Sequence, residues 1–463
     1  MTVDYHVLNW LAVALAAFAA IRAYQGLRGP FAWFWAMLAF GISSTVLVTS
    51  LSSLGLIAEL KRAPDESYSL MYQLVLLESA AMCGARFLLG EYILSRLVSA
   101  NMPVISIPPK AIVRIITTLT IAAAVVQIGL QLTGYTGYFR AAEYSTDPPP
   151  WLDLVKKIIS IGYGLFFILS IVWQAQNRRR LLYVVCGLWV FSGLLSGYKS
   201  AVFLPIAMIG IASWMIGRFQ ARFIVWTFLA VLAAYSIIEP LRKYRDDVGG
   251  VGASSAFARL SESGEELNMF SIENLTDRVI RRYDYSDITA RALLYSEVGQ
   301  LPTYTQRLQE MYRRWFTMAF IPRYFSKEKP LANLGSVLSY EITGNDQNSI
   351  GAIRSAGVFI AGGYLAVLGA GFVVGSLLTL ASVLMYLWLK SPIRLVPLFL
   401  LALALSRPSD IALFSFISAG RSIATFAGFV VTGKVFGFVV SHRPNGLFGN
   451  RTSLPRLGGE PSA

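Results

Sequence analysis

Four short segments concentrate side chains that can hold anions and sugars. The most specific is Phe320-Ile321-Pro322-Arg323-Tyr324-Phe325-Ser326-Lys327-Glu328-Lys329-Pro330, where two prolines fix the backbone around Arg323, Lys327 and Lys329. The planar fork of arginine suits phosphate oxygens, and lysine acts as a point charge. The rings of Tyr324 and Phe325 offer flat faces to a sugar or to a lipid interface. The alternative is a loop packing back on the membrane. A second cluster, Arg242, Lys243 and Arg245, adjoins Asp246 and Asp247; it reads either as an anion site or as a self-neutralised surface cluster. A third is Lys199 in the turn Ser196-Gly197-Tyr198-Lys199-Ser200, placed to meet an anionic group or simply snorkelling. The fourth, Gly344-Asn345-Asp346-Gln347-Asn348-Ser349 followed by Arg354, offers hydrogen-bonding side chains to a polar ligand or caps the next helix.

Other chemistries find little material. Cys83 and Cys186 lie inside apolar runs and read as small buried residues, and His6 and His442 stand near opposite ends of the sequence. No His/Cys metal set and no Ser-His-Asp arrangement is expected, and no cofactor is implied. Glu78 and Arg86 fall within one apolar run, eight residues apart on a broad helical face. An ionisable group there requires a partner, and a polar contact to another helix is the expected one. Arg421 is ambiguous in the same way.

The elements that must position these residues are membrane spans. The 463 residues are 55% hydrophobic and 14% charged, against about 25% charged in soluble domains. Mean hydropathy is +0.56. Apolar runs are expected near 8–24, 31–58, 69–95, 111–132, 154–175, 181–198, 201–217, 223–240, 358–388, 391–407 and 409–440, each long enough for a hydrocarbon core of about 30 Å. The fold expected is an all-α polytopic membrane protein of about eleven transmembrane helices. The Gly-rich start of the ninth run reads as interfacial or re-entrant, and the last run as breakable near Gly420. The first run lacks the cationic start of a signal peptide and is read as a retained span.

Basic residues occupy alternate links: Arg22 with Arg28, Arg96 with Lys110, Arg178-Arg179-Arg180, Arg218 with Arg222, Lys390 with Arg394, and Arg443. Placing all of them in the cytoplasm puts the N-terminus outside and the C-terminus inside. The formal net charge of +14 is thereby assigned to the anionic leaflet rather than to nucleic acid. The organisation expected is transmembrane helices 1–8 over residues 1–241, a large periplasmic loop over 242–356, helices 9–11 over 357–440, and a disordered cytoplasmic tail over 441–463. The loop holds about half of the acidic residues and a similar number of basic ones. Helical spacing from Leu275 to Leu308 predicts amphipathic helices lying over the membrane face.

On the turn at Ser196–Ser200, the Ile321-Pro322-Arg323…Lys329-Pro330 pattern and the Gly362–Tyr364 stretch after an outer loop, the sequence resembles the bacterial O-antigen polymerase family of integral-membrane oligosaccharide repeat-unit polymerases. That resemblance implies glycosyl transfer at the outer face of the bacterial inner membrane. It implies a donor and an acceptor carried on polyprenyl pyrophosphate, and it leaves room for a chain-length regulator as a partner. Lys199, Arg242, Arg245, Arg323 and Lys329 would hold the pyrophosphate, although the family often has arginine where Lys199 stands. Tyr324, Asp346, Asn348 and Arg354 would contact the substrate. A carboxylate, Asp247, Asp284 or Asp287, would act as base, since the outer segment has no histidine. Ligases of similar layout typically use an outer-loop histidine, so its absence favours polymerase over ligase. A flippase for the same lipid-linked sugars, an accessory subunit of an export complex and another polyprenyl-phosphate-dependent glycosyltransferase are the competing expectations.

Overall fold

The computed structural model describes residues 4–26, 29–57, 62–94, 107–137, 149–197, 199–219, scattered positions between 223 and 238, 285–314, 334–344 and 351–388. Every extended element among them is a helix. The first seven are α1 (Tyr5–Gln25), α2 (Ala32–Ser53), α3 (Asp65–Arg86), α4 (Lys110–Leu132), α5 (Pro150–Ala175), α6 (Arg179–Ser196) and α7 (Lys199–Met215). The later four are α8 (Ser286–Glu297), α9 (Pro302–Arg313), α10 (Leu334–Thr343) and α11 (Arg354–Trp388). A π-helical turn, Phe87–Leu94, prolongs α3. Among the described residues, six helices are long and apolar enough to cross a membrane: α1, α2, α3 with its extension, α4, α6 and α11. Parts of α5 and α7 form shorter apolar helices. The molecule is a helical membrane protein.

Lipid-spanning chain must satisfy its backbone within each helix, and contacts between helices then rely on close packing and a few polar bridges. Both devices recur here. At one end of the bundle Asn9 Nδ2 donates to Ser50 Oγ at 3.1 Å and the Tyr72 hydroxyl donates to Thr49 Oγ1 at 2.7 Å. The rings of Tyr5 and Tyr68 lie 5.7 Å apart. These contacts tie the start of α1, the end of α2 and the start of α3 together. Between α3 and α11 the device is glycine. A Cβ on Gly371 would lie 2.7 Å from the Glu78 carbonyl oxygen, and one on Gly375 would lie 2.6 Å from Met82 Cα. This four-residue glycine spacing lets two backbones meet.

Buried residues form two main apolar clusters. The first draws on α1, α2, α3 and all of α8 to α11. The second is built from α4 to α7 and reaches Trp33 of α2 and Met385 of α11. Trp33 and Trp214 mark the seam, with ring centroids 5.7 Å apart.

The long span expected over 358–388 is a broken one. Gly363 adopts φ 72° and ψ −167° inside α11, a region open essentially to glycine alone. A continuous helix would separate residues 354 and 371 by about 25 Å. Both reach Glu78 all the same, Arg354 through its side chain and Gly371 through backbone contact. The arm over 354–362 therefore folds back along the arm over 364–388, and the rings of Phe359 and Tyr364 stack edge to face at 4.9 Å across the break.

The helical stretch expected over 275–308 is two helices where it is described. Gly299, at φ 71°, ends the first in a left-handed turn, and Pro302 opens the second. The expected spans at 391–407 and 409–440, most of that at 223–240, and the tail lie outside the described residues.

Candidate functional site

Part of the polar segment between α7 and α11 docks as three short helices on the first cluster. Apolar stripes seat two of them: Tyr304, Leu308 and Met311 on α9, and Leu334, Leu338 and Ile342 on α10. Polar side chains fix the register. On α8, three alternate residues reach four different partners. Asp287 Oδ1 accepts from the Arg62 amide and from the Tyr68 hydroxyl, both at 3.1 Å. Thr289 Oγ1 accepts from the Ile353 amide at 3.0 Å. Arg291 Nη2 donates to the Ile342 carbonyl at 3.2 Å, a cation at the C-terminal end of α10. Glu341 of α10 in turn caps α9, accepting from the amides of Thr303 at 2.9 Å and Tyr304 at 3.0 Å. The cap of α8 to α10 is thus tied to α3 and to the start of α11.

Beneath this cap lies the ion pair of Arg354 and Glu78, through Nε and Oε1. Their side chains are 11% and 10% exposed, so the pair is largely withdrawn from the surface. Glu78 lies about 20 Å along α3 from its first residue. Beside the pair is a cavity of about 40 Å³, lined among others by Gly41, Thr45, Glu78, Ser79, Arg354 and Ser355. Ser355 is 1% exposed, and its hydroxyl has no hydrogen-bond partner among the described residues. A buried orphan hydroxyl beside a polar cavity calls for a water or a polar group of a ligand. The volume suits about one water molecule at liquid density.

Of the residues expected at a site, Asp287 and Arg354 come into this one cluster. Asp287 is engaged through Oδ1 by α3 and the link before it. Arg354, expected against substrate, is held by Glu78 while still lining the cavity. Lys199 opens α7, a helix whose Met208, Ile209 and Ala212 belong to the second cluster. Its turn is built on Gly197 at φ 67° and is pressed by Gly137, where a Cβ would lie 3.0 Å from the Ser196 carbonyl oxygen. Asp247, Asp284, Arg242, Arg245, Arg323, Tyr324, Lys329, Asp346 and Asn348 lie outside the described residues.

Glu78 does find the interhelical partner its position requires, on α11. Arg86 finds Glu91 at 3.0 Å within its own π-helical extension and stacks on Phe31 of the link before α2, 4.5 Å from the ring centroid. Nothing in the sequence singles out Ser355; it is one serine beside Arg354, without any distinguishing spacing. The only signal for the Glu78–Arg354 pair is the cost of leaving each charge alone in an apolar setting.

No metal-binding group of His, Cys, Asp and Glu side chains occurs among the described residues. No family model matches this chain, and neither a curated protein nor a solved structure is significantly similar to it.

Proposed function

We propose that this protein polymerises oligosaccharide repeat units carried on polyprenyl pyrophosphate into a surface polysaccharide, at the outer face of a bacterial inner membrane. The observation that carries the reading is the polar cap of α8 to α10, docked over the Glu78–Arg354 pair and its cavity. A lipid-linked substrate needs such an arrangement, with apolar helices for its carrier and polar groups at the level of its headgroup. The resemblance at Ser196–Ser200, Pro322–Pro330 and Gly362–Tyr364 supplies the reaction class.

In the proposed reaction the bond between the donor's anomeric carbon and its pyrophosphate oxygen breaks, and the electron pair leaves with polyprenyl pyrophosphate. The anomeric carbon forms a bond to an acceptor hydroxyl oxygen. The hydroxyl proton passes to a carboxylate, for which Asp247, Asp284 and Asp287 are the candidates. Lys199, Arg242, Arg245, Arg323 and Lys329 stabilise the charge that grows on the departing pyrophosphate, which fixed cations do well in a partly dry site. Tyr324, Asp346 and Asn348 contact the sugar. Arg354 orders the cavity edge through Glu78.

One observation favours a second reading. A broken helix with a charged pair beside it is a feature of transporters, and α11 with Glu78 has it. A flippase for the same lipid-linked sugars is therefore the rival. The two separate on a glycan gel of a deletion strain beside its parent. The polymerase reading expects single units exposed outside and the long ladder lost, with the same phenotype in a stably expressed Arg323→Ala strain. The flippase reading expects units trapped on the cytoplasmic face. An unchanged ladder in Arg323→Ala counts against the polymerase.

A further inference from the structure

The second cluster contains its own polar pocket, far along the sequence from the cap. It has a volume of about 190 Å³, and its walls include Gln174, Arg179, Tyr183, Ser213, Arg218 and Trp226. It sits where α5 ends, α6 begins and α7 ends, the end of the bundle carrying Arg178-Arg179-Arg180. The interior is built. Ser213 Oγ donates to Gln174 Oε1 at 2.5 Å, and Gln174 Nε2 donates to the Ile209 carbonyl at 3.0 Å. Arg218 Nη1 donates to the Gln174 carbonyl at 2.6 Å, and its amide reaches the Ser213 carbonyl at 2.8 Å. Gln174 and Ser213 are buried, so the network holds Arg218 in place at the pocket's wall.

Among the described residues the charge is uncompensated. No Asp or Glu occurs between Asp153 and Glu239, and among the described residues no acidic side chain pairs with Arg179 or Arg218. Helix α6 begins beside the pocket with no side chain capping its first turn, which adds the positive end of a helix to the two guanidinium groups. The rim is apolar and open. Tyr183 is 57% exposed and Trp226 65%. A free anion in water gains nothing from such a rim. A phosphate tethered to acyl chains does, because its chains cover the apolar surface while its headgroup enters between the arginines.

We propose that this pocket binds the phosphate headgroup of an anionic glycerophospholipid, in the leaflet facing Arg178-Arg179-Arg180. Arg179 and Arg218 contact the phosphate oxygens. Tyr183 and Trp226 lie along the chains at the membrane interface. The inference does not depend on the reaction proposed for the cap, since the two sites belong to different clusters.

The test uses the full chain in neutral detergent, titrated with phosphatidylglycerol, phosphatidylcholine or inorganic phosphate, with bound lipid counted by native mass spectrometry. Phosphatidylglycerol is expected to bind and the other two are not. Arg179 donates no side-chain bond among the described residues, so Arg179→Gln should fold as the parent does and bind phosphatidylglycerol about fivefold more weakly. Arg22→Gln, an equal charge loss at the end of α1, should bind as the parent. Equal binding of phosphatidylcholine, equal weakening in Arg22→Gln, or full occupancy by inorganic phosphate overturns the proposal. An independent reading comes from the unaltered protein with a photoactivatable phosphatidylglycerol. Crosslinks at Tyr183 or Trp226 support the site, and crosslinks spread over the exposed faces of α1 and α4 overturn it.

Discussion

Arg354 opens α11 and bonds, through its guanidinium Nε, the carboxylate Oε1 of Glu78 on α3, 276 residues earlier in the chain. Each charge is tolerable in its apolar surroundings only because the other is present. Glu78→Ala and Arg354→Ala should each cost about 3–5 kcal/mol, read by denaturant unfolding in micelles. The double variant should cost less than the sum of the two. Strict additivity would show that the pair is not coupled.

The fold-back of α11 depends on two kinds of glycine. Gly363 supplies a backbone conformation that other residues avoid, so Gly363→Ala should destabilise the hairpin by about 1–3 kcal/mol. Gly375 supplies proximity to Met82, and Gly375→Val should prevent α3 and α11 from meeting. A Cβ on Gly369 would meet nothing within 4 Å, so Gly369→Ala is the harmless control. Yields of folded protein by size-exclusion chromatography check all three.

Asp287 combines a positioning role with candidacy as proton acceptor, and one substitution separates the two. Asp287→Asn keeps an oxygen for the Arg62 amide and the Tyr68 hydroxyl but cannot take a proton. Its thermal stability should match the parent, whereas Asp287→Ala should lose about 1–3 kcal/mol. The glycan ladder should persist in Asp287→Asn, which leaves Asp247 or Asp284 as base. A stable Asp287→Asn protein without a ladder would assign the proton transfer to Asp287 itself.

Glu341 caps a helix other than its own. Glu341→Ala should weaken α9 by about 0.5–2 kcal/mol, visible as faster amide exchange over residues 303–308. Exchange unchanged there would mean that the apolar stripe of Tyr304, Leu308 and Met311 alone holds α9.

The sequence makes some of this architecture readable and conceals the rest, for physical reasons. The spans of α1, α2, α4 and α6 follow from composition, since lipid requires long apolar runs. The break in α11 is foreshadowed by Gly362-Gly363. The partner of Arg86 is hidden, because Glu91 at five residues' distance shares no α-helical face with it; the π-helical turn brings them together. The Glu78–Arg354 pair is hidden because an interhelical contact leaves no local periodicity. The role of α8 is half visible: the sequence marks Asp287 as an acid of interest, but its bonds to Arg62 and Tyr68 arise from tertiary docking that spacing alone does not encode.

Glycosyl transfer with release of polyprenyl pyrophosphate can be read out by reconstitution. Purified protein in proteoliposomes is given a chemically defined polyprenyl-pyrophosphate oligosaccharide, and glycan length and released carrier are measured together. A ladder of products is expected, with one polyprenyl pyrophosphate freed for each new linkage. Stable, folded protein that leaves the units unjoined, or moves them across the bilayer without joining them, would rule the polymerase reading out.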